Sequence, residues 1–187
     1  MKLRREIVAI PVKQFTRAKS RLRESMTALR IEELSRSLVC GVIEACSPRP
    51  CVVLFDSDDV RQFALDRGAL TLRVSDHGLN EAIRDAYRAL ASSYDLVIFA
   101  HGDLVAPTDL GSFEFADGAT IVTDRHETGT NVLALPTNLP FQFHYGPGSA
   151  LRHRLEVEKL GLPLRWISNS PWGLDIDGPE DLELLQR

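Results

Sequence analysis

The chain has 187 residues, 44% of them hydrophobic and 26% charged, with a formal net charge of −4. This is an ordinary globular balance, of a length that suits one domain and buries a full core without metal or disulfide staples. The first thirty residues carry nine Lys or Arg against two acids, a balance of +7 that leaves −11 for the rest, which indicates a local anion site and not a nucleic-acid surface.

No segment approaches the roughly 20 apolar residues of a membrane span. The start, Met1 to Lys13, has a basic flank, but its apolar run Ile7–Val12 is too short for a signal peptide and contains Pro11. Cys40, Cys46 and Cys51 are odd in number and match no zinc spacing. They read as small core hydrophobes, and a reduced, cytoplasmic setting follows.

Glu6 to Pro11 reads as a buried strand, followed by a basic irregular loop over 12–24. Ile31, Leu34, Leu38, Val39, Val42, Ile43 and Cys46 recur at helical spacing, so a helix is predicted over about 27–46, ended by Pro48 and Pro50. Cys51 to Phe55 is a second strand, and Asp56, Ser57 and Asp58 cap a short helix that Gly68 stops. Leu70 to Val74 is a third strand. Leu79, Ala82, Ile83, Ala86, Tyr87 and Leu90 form the stripe of another helix, and Leu96 to Ala100 is a fourth strand, apolar on both faces. Such alternation of doubly buried strands with helices predicts βαβ units and a parallel sheet.

Thr120–Thr123 and Val132–Leu135 read as two more strands. Gly146-Pro147-Gly148-Ser149 leads into a helix through about Leu160. Leu164–Ile167 is a late strand, Leu174–Asp177 a short one, and Gly178-Pro179 starts a closing helix. The predicted fold class is α/β, one doubly wound domain over residues 1–187.

Ligands of open α/β sheets bind at the carboxyl ends of strands, and four polar clusters stand there. Pro11-Val12-Lys13 with Arg17, Lys19, Ser20 and Arg21 offers cations for a polyphosphate, or is a solvated basic loop. His101-Gly102-Asp103-Leu104 places a carboxylate at the tip of a central strand, where it binds a divalent cation or caps a turn. Asp175-Ile176-Asp177 would put two carboxylates on one strand face, which repel unless a cation lies between them. Asp177 would alternatively cap the helix at Pro179. Thr128-Gly129-Thr130-Asn131 and Gly146-Pro147-Gly148-Ser149 combine small residues with a helix start, suited to an anion or simply to a turn. His101 reads as a neighbour of the acids and not a ligand, and His144 and His153 as satisfied histidines. A dinucleotide Gly-x-Gly-x-x-Gly, a Walker loop and a Gly-x-Ser-x-Gly elbow are all missing.

In order along the chain stand Pro11-Val12-Lys13 with Lys19-Ser20-Arg21-Leu22, Gly78-Leu79-Asn80, His101-Gly102-Asp103-Leu104, Asp124-Arg125 with Thr128-Gly129-Thr130-Asn131, Gly146-Pro147-Gly148-Ser149 and Leu174-Asp175-Ile176-Asp177-Gly178-Pro179-Glu180-Asp181-Leu182. This ordered set resembles the 2-phospho-L-lactate guanylyltransferase family, which includes the phosphoenolpyruvate and 3-phosphoglycerate guanylyltransferases of coenzyme F-420 biosynthesis.

The resemblance implies a mostly parallel sheet of nucleotidyltransferase type, like the nucleotide-diphospho-sugar transferases. It implies GTP as co-substrate, magnesium (one or two ions) and a small phosphorylated three-carbon acid. Carried over by position, Lys13, Lys19 and Arg21 meet the GTP phosphates, and Gly78 and Asn80 lie near the nucleotide. Asp103, Asp175 and Asp177 hold metal, with Lys13, Lys19 and Asp103 catalytic. Thr130, Asn131, Gly146 and Ser149 bind the acid.

The chain departs from the family at Val105-Ala106-Pro107, where proline more often follows leucine directly, at His144-Tyr145 and at Gly178. A phosphate monoester is already a charged nucleophile, so direct attack on the α-phosphorus of GTP needs no general base. The implied partners are these small molecules, with the product passed to the next enzyme of the pathway. No nucleic acid or membrane is expected, and a homodimer is left open. A nucleotidyltransferase for a sugar phosphate or molybdopterin is the rival enzyme, although the loop after strand one lacks the glycines of those relatives. A glycosyltransferase of similar architecture and a non-catalytic GTP-binding module are further alternatives.

Overall fold

A computed structural model describes residues 4–17 and 19–186, the last three by backbone alone. The leading residues 1–3, part of the basic flank noted above, and Ala18 of the basic loop lie outside the described residues. Seven strands form one sheet: β1 Glu6–Val12, β2 Cys51–Phe55, β3 Leu70–Arg73, β4 Leu96–Ala100, β5 Ala119–Thr123, β6 Thr130–Pro136 and β7 Leu164–Ile167. Their spatial order is β3-β2-β1-β4-β6-β5-β7. All neighbours are parallel except β6, which runs antiparallel to both β4 and β5. The sheet is therefore mostly parallel, as expected.

The helices are α1 Ala28–Ala45, α2 Asp58–Leu65, α3 Leu79–Leu90 and α4 Ser149–Lys159. Alternation along β1 shows why both faces need cover. Val8, Ile10 and Val12 pack with Val39, Val42 and Ile43 of α1 and with Val60 and Phe63 of α2. Ile7 and Ala9 pack on the opposite face with Ile83, Ala86 and Tyr87 of α3 and Val157 of α4. Each such Val, Ile or Phe side chain contributes roughly 1.5–3 kcal/mol on burial. Thr27 caps α1 by accepting from the Arg30 N–H, and Ser35, on its buried stripe, donates to the Ile31 carbonyl at 2.8 Å.

Three expectations change. The predicted strand Leu174–Asp177 is reduced to one antiparallel bridge between Leu104 and Asp175, because the chain turns at once into the buried bonds of Asp181. The closing helix is a 3-10 helix, Pro179–Gln186. The basic loop holds two 3-10 turns, Phe15–Arg17 and Ser20–Glu24, anchored by buried Phe15 and Leu22. All three cysteines are free thiols, but only Cys46 is buried; Cys40 and Cys51 are half-buried. No described helix is long and apolar enough to cross a membrane.

From β1 the chain proceeds outward to β2 and β3 on one side, and β4 then pairs on the other side of β1. The carboxyl ends of β1 and β4 thus flank the point where strand order reverses, the position at which open α/β sheets form a ligand crevice.

Candidate active site

A cavity of about 350 Å³ opens there. Its walls include Pro11, Val12 and Lys13 from the end of β1, Asp56 after β2, Ser75 and Asp76 after β3, Gly78 and Leu79 at the start of α3, His101, Gly102 and Asp103 after β4, and also Lys19 and Asp177. Gly102 lets the chain after β4 lie tight against β1: a Cβ there would come 3.2 Å from Val39 Cγ2 and 3.5 Å from the Pro11 carbonyl. Gly78 holds φ at +122° as it turns into α3, a conformation open chiefly to glycine.

Lys19 reaches the acids from the basic loop. Its Nζ lies 3.0 Å from Asp103 Oδ2 and also donates to the Ile176 carbonyl. Its backbone is left-handed at φ 49°, a region non-glycine residues rarely occupy.

Asp103, Asp175 and His101 each offer one ligand atom within 4.8 Å of the others. The Asp175 carboxyl is pushed up to about 6 by burial, and further by the Asp103 carboxylate, while a bond from Asn131 opposes the shift. That bond, Asn131 Nδ2 to Asp175 Oδ1, is 3.2 Å, and the same amide donates to the Trp172 carbonyl at 3.1 Å. His101 Nε2 is buried without a hydrogen-bond partner. Two crowded carboxylates, one of them poorly hydrated, and an unpartnered imidazole nitrogen fit a divalent cation.

The strand expected to present Asp175 and Asp177 on one face is absent among the described residues, although the Asp177 carboxylate still helps to raise Asp175. Asp175 gathers with Asp103 and His101, and Asp177 lies exposed on the cavity wall. Nor does Asp177 cap the closing helix. Asp181 Oδ2 accepts from the N–H groups of Asp177 and Gly178, each at 2.7 Å, and Arg125 pairs with Asp181. His101, expected to be a neighbour of the acids, has a ring nitrogen within 4.8 Å of their oxygens.

Lys13, Lys19, Gly78, Asp103 and Asp177 therefore share one cavity, with Asp175 beside it. Among the described residues, Arg21, Asn80, Thr130, Asn131, Gly146 and Ser149 do not line it. Arg21 is exposed on the second 3-10 turn. Both amide atoms of Asn80 are engaged by the backbone of Tyr145.

Thr130 and Ser149 are buried and wired together. The Thr130 N–H donates to Ser149 Oγ at 2.9 Å, and Thr130 Oγ1 lies 3.0 Å from His153 Nδ1. His153 Nε2 accepts the His144 N–H at 2.9 Å, so Nδ1 carries the proton and donates to Thr130. Burial above all, then the charges of His144, Arg152 and His101, lowers His153 to about 3. It is a satisfied core histidine, as expected, while His144 is half-buried. Gly146 is exposed in the turn before α4, its carbonyl accepting the Ser149 N–H. Asp56, Ser75 and Asp76 are wall residues outside the four clusters expected from the sequence. Position after strands two and three was the signal that could have found them.

The fold is an α/β sheet with a cavity at its switch point, and solved structures share that fold. A nucleotidyl transferase from Methanothermobacter thermautotroptrophicus superposes with a TM-score of 0.68 over 97% of this chain and 96% of its own, at 18% identity. A proposed nucleotide-diphospho-sugar transferase from Desulfovibrio desulfuricans G20 gives 0.73 over 99% and 87%, at 15% identity.

The family described as guanylyl transferase CofC like matches residues 6–186, and the chain belongs to it. Phosphoenolpyruvate guanylyltransferases are similar in sequence: that of Sphaerobacter thermophilus is 32% identical, covering 96% of this chain and 91% of its own length. That of Thermobaculum terrenum is 30% identical, covering 94% and 80%.

Proposed function

We propose that this guanylyltransferase moves GMP from GTP to the phosphate of a small three-carbon acid, phosphoenolpyruvate first among candidates, with 2-phospho-L-lactate and 3-phosphoglycerate as alternatives. The observation that carries the reading is Lys19 bonded to Asp103 on the wall of the switch-point cavity, with Asp175 and His101 beside it. The cavity volume lies within the range of small-molecule sites. The names of the sequence relatives support the acceptor class.

The reaction is a single displacement: an acceptor phosphate oxygen attacks the α-phosphorus, its bond to the bridging oxygen breaks, and pyrophosphate leaves. Magnesium, held by Asp103 and Asp175 with Asp177 on the rim, would supply charge neutralisation for the triphosphate. Lys19 and Lys13 contribute positive charge at the leaving pyrophosphate. The acceptor arrives ionised, so the protein positions and neutralises and no side chain needs to remove a proton. The Thr130–Ser149 network shapes the acceptor side from behind, and Gly146, exposed in its turn, is the member that meets the acid. The reading places the enzyme in coenzyme F-420 biosynthesis, in a reducing cytoplasmic setting consistent with three free thiols, handing its product to the next enzyme.

Incubation with GTP, magnesium and each acid in turn, with a sugar 1-phosphate as control, tests this. Pyrophosphate release and a product heavier than the acid by GMP are expected with phosphoenolpyruvate. Turnover of the sugar phosphate alone, or GTP binding without pyrophosphate release for every acceptor, sinks it.

A further inference from the structure

Asn80 stands one residue beyond the cavity wall formed by Gly78 and Leu79, in the first turn of α3. Its amide closes on a distant segment. Oδ1 accepts the Tyr145 N–H at 2.6 Å, and Nδ2 donates to the Tyr145 carbonyl at 3.1 Å. One planar amide thus satisfies both backbone groups of one residue. An aspartate would keep only the accepting half, and a glutamine would be one methylene too long.

Tyr145 belongs to residues 137–148, which connect β6 to α4 without regular structure. Outside the sheet ladder, such a segment is placed by its buried rings Phe141, Phe143 and Tyr145 and by side-chain bonds to its backbone, from His153 at His144 and from Asn80 at Tyr145. The Tyr145 ring packs edge-on against His153 at 4.7 Å and lies 5.5 Å from His101. His153 in turn holds Thr130 and the His144 N–H, and Thr130 holds Ser149. A continuous chain of contacts therefore runs from the nucleotide wall through Asn80 and Tyr145 to Thr130, Ser149 and the turn at Gly146.

We infer that Asn80 is a positioning residue for the acceptor: it fixes the Tyr145–Ser149 turn against the nucleotide wall so that the two substrates meet in line. This rests on the guanylyl-transfer reading above. Bimolecular displacement is sensitive to alignment, and a misplacement of about 1 Å costs on the order of 100-fold in rate. Nucleotide and acceptor are held on different elements, and Asn80 joins the two.

The test uses the full chain with Asn80→Ala and Asn80→Asp. Hydrogen exchange over residues 141–149 is expected to quicken at least about tenfold in Asn80→Ala, with β1 and β4 unchanged. With GTP and phosphoenolpyruvate, kcat/KM for the acid is expected to fall about 10- to 100-fold while the KM for GTP stays within about twofold. Asn80→Asp, which keeps one of the two bonds, is expected between wild type and Asn80→Ala in both readouts, and it decides the matter if Asn80→Ala fails to fold. A KM for GTP that rises in parallel makes Asn80 a nucleotide contact and overturns the inference. So does unchanged exchange over 141–149, or an equal loss toward both substrates with a falling Tm. A wild-type protein that releases no pyrophosphate with any acid sinks the guanylyl-transfer reading instead, and the exchange measurement then judges the clamp alone.

Discussion

Lys19 places its ammonium 3.0 Å from Asp103 Oδ2 with only 7% of its side chain exposed, and Asp103 is 28% exposed. The Lys19 ammonium thus sets a positive charge against the acids of the cavity. Lys19→Ala should leave Asp103 and Asp175 facing each other unscreened. The expected cost is about 1–2 kcal/mol, below that of breaking a fully buried pair because Asp103 is partly solvated. Chemical denaturation reads this. Magnesium should raise the Tm of Lys19→Ala more than that of wild type, since it replaces the missing charge, and the KM for GTP should rise. Equal magnesium responses would count against the assignment.

Asp103→Asn and Asp175→Asn should each lower kcat by about 100-fold or more without unfolding the protein. Their stabilities should differ in an informative way. The Asp175 carboxyl, raised from 3.8 to about 6 by burial and by Asp103, favours the folded state while protonated. Its contribution is full below about pH 3.8 and is lost as the pH rises through about 6. Asp175→Asn is fixed in a neutral form, so it should melt above wild type at pH 7.5, with the gap closing toward pH 4. Thermal scans across that range check the sign.

His153 works in the opposite direction. Its folded value near 3 lies below the 6.5 of a free imidazole, chiefly because it is buried. The stability it contributes is present above about pH 6.5 and is lost as the pH falls through the window down to about 3. His153→Gln removes that titration, so the difference in Tm from wild type should shrink steadily over the same interval. A difference independent of pH would show that His153 is not held neutral.

Gly111 tests the scaffold away from the cavity. A Cβ there would lie 2.1 Å from the Cys46 carbonyl oxygen and 2.2 Å from that of Ser47, and its N–H already bonds the Ala45 carbonyl at 2.8 Å. Backbone cannot yield as a side chain can, so Gly111→Ala should destabilise by about 1–3 kcal/mol with KM for GTP unchanged. Urea denaturation and steady-state kinetics together decide it.

Gly111 also marks where sequence reading stops. The packing of Gly111 against the end of α1 involves no periodicity and no motif; Arg49, donating to the carbonyls of Leu110 and Phe113, joins positions 61 and 64 residues apart. The parallel strands β1, β2 and β4 were legible because burial on both faces demands unbroken apolar runs, and α1 and α3 because one apolar stripe at helical spacing must face the sheet. The antiparallel course of β6 was not, since a short apolar strand reads alike in either direction.

The same division holds at the candidate site. Sequence by itself determined that Lys13, Lys19 and Asp103 follow the carboxyl ends of strands, because chain order and strand polarity put them there; that β1 and β4 adjoin at the switch point came from the sheet order. Only the tertiary structure decided which groups touch. It set Asp175 beside Asp103 and His101, with Asp177 further out on the cavity wall, gave the bonds at the start of the closing helix to Asp181, and paired the Asn80 amide with the Tyr145 backbone. Those choices rest on contacts between distant residues, such as the two bonds that join Asn80 to Tyr145, 65 positions on, and a local pattern carries no record of the partner that satisfies a polar group.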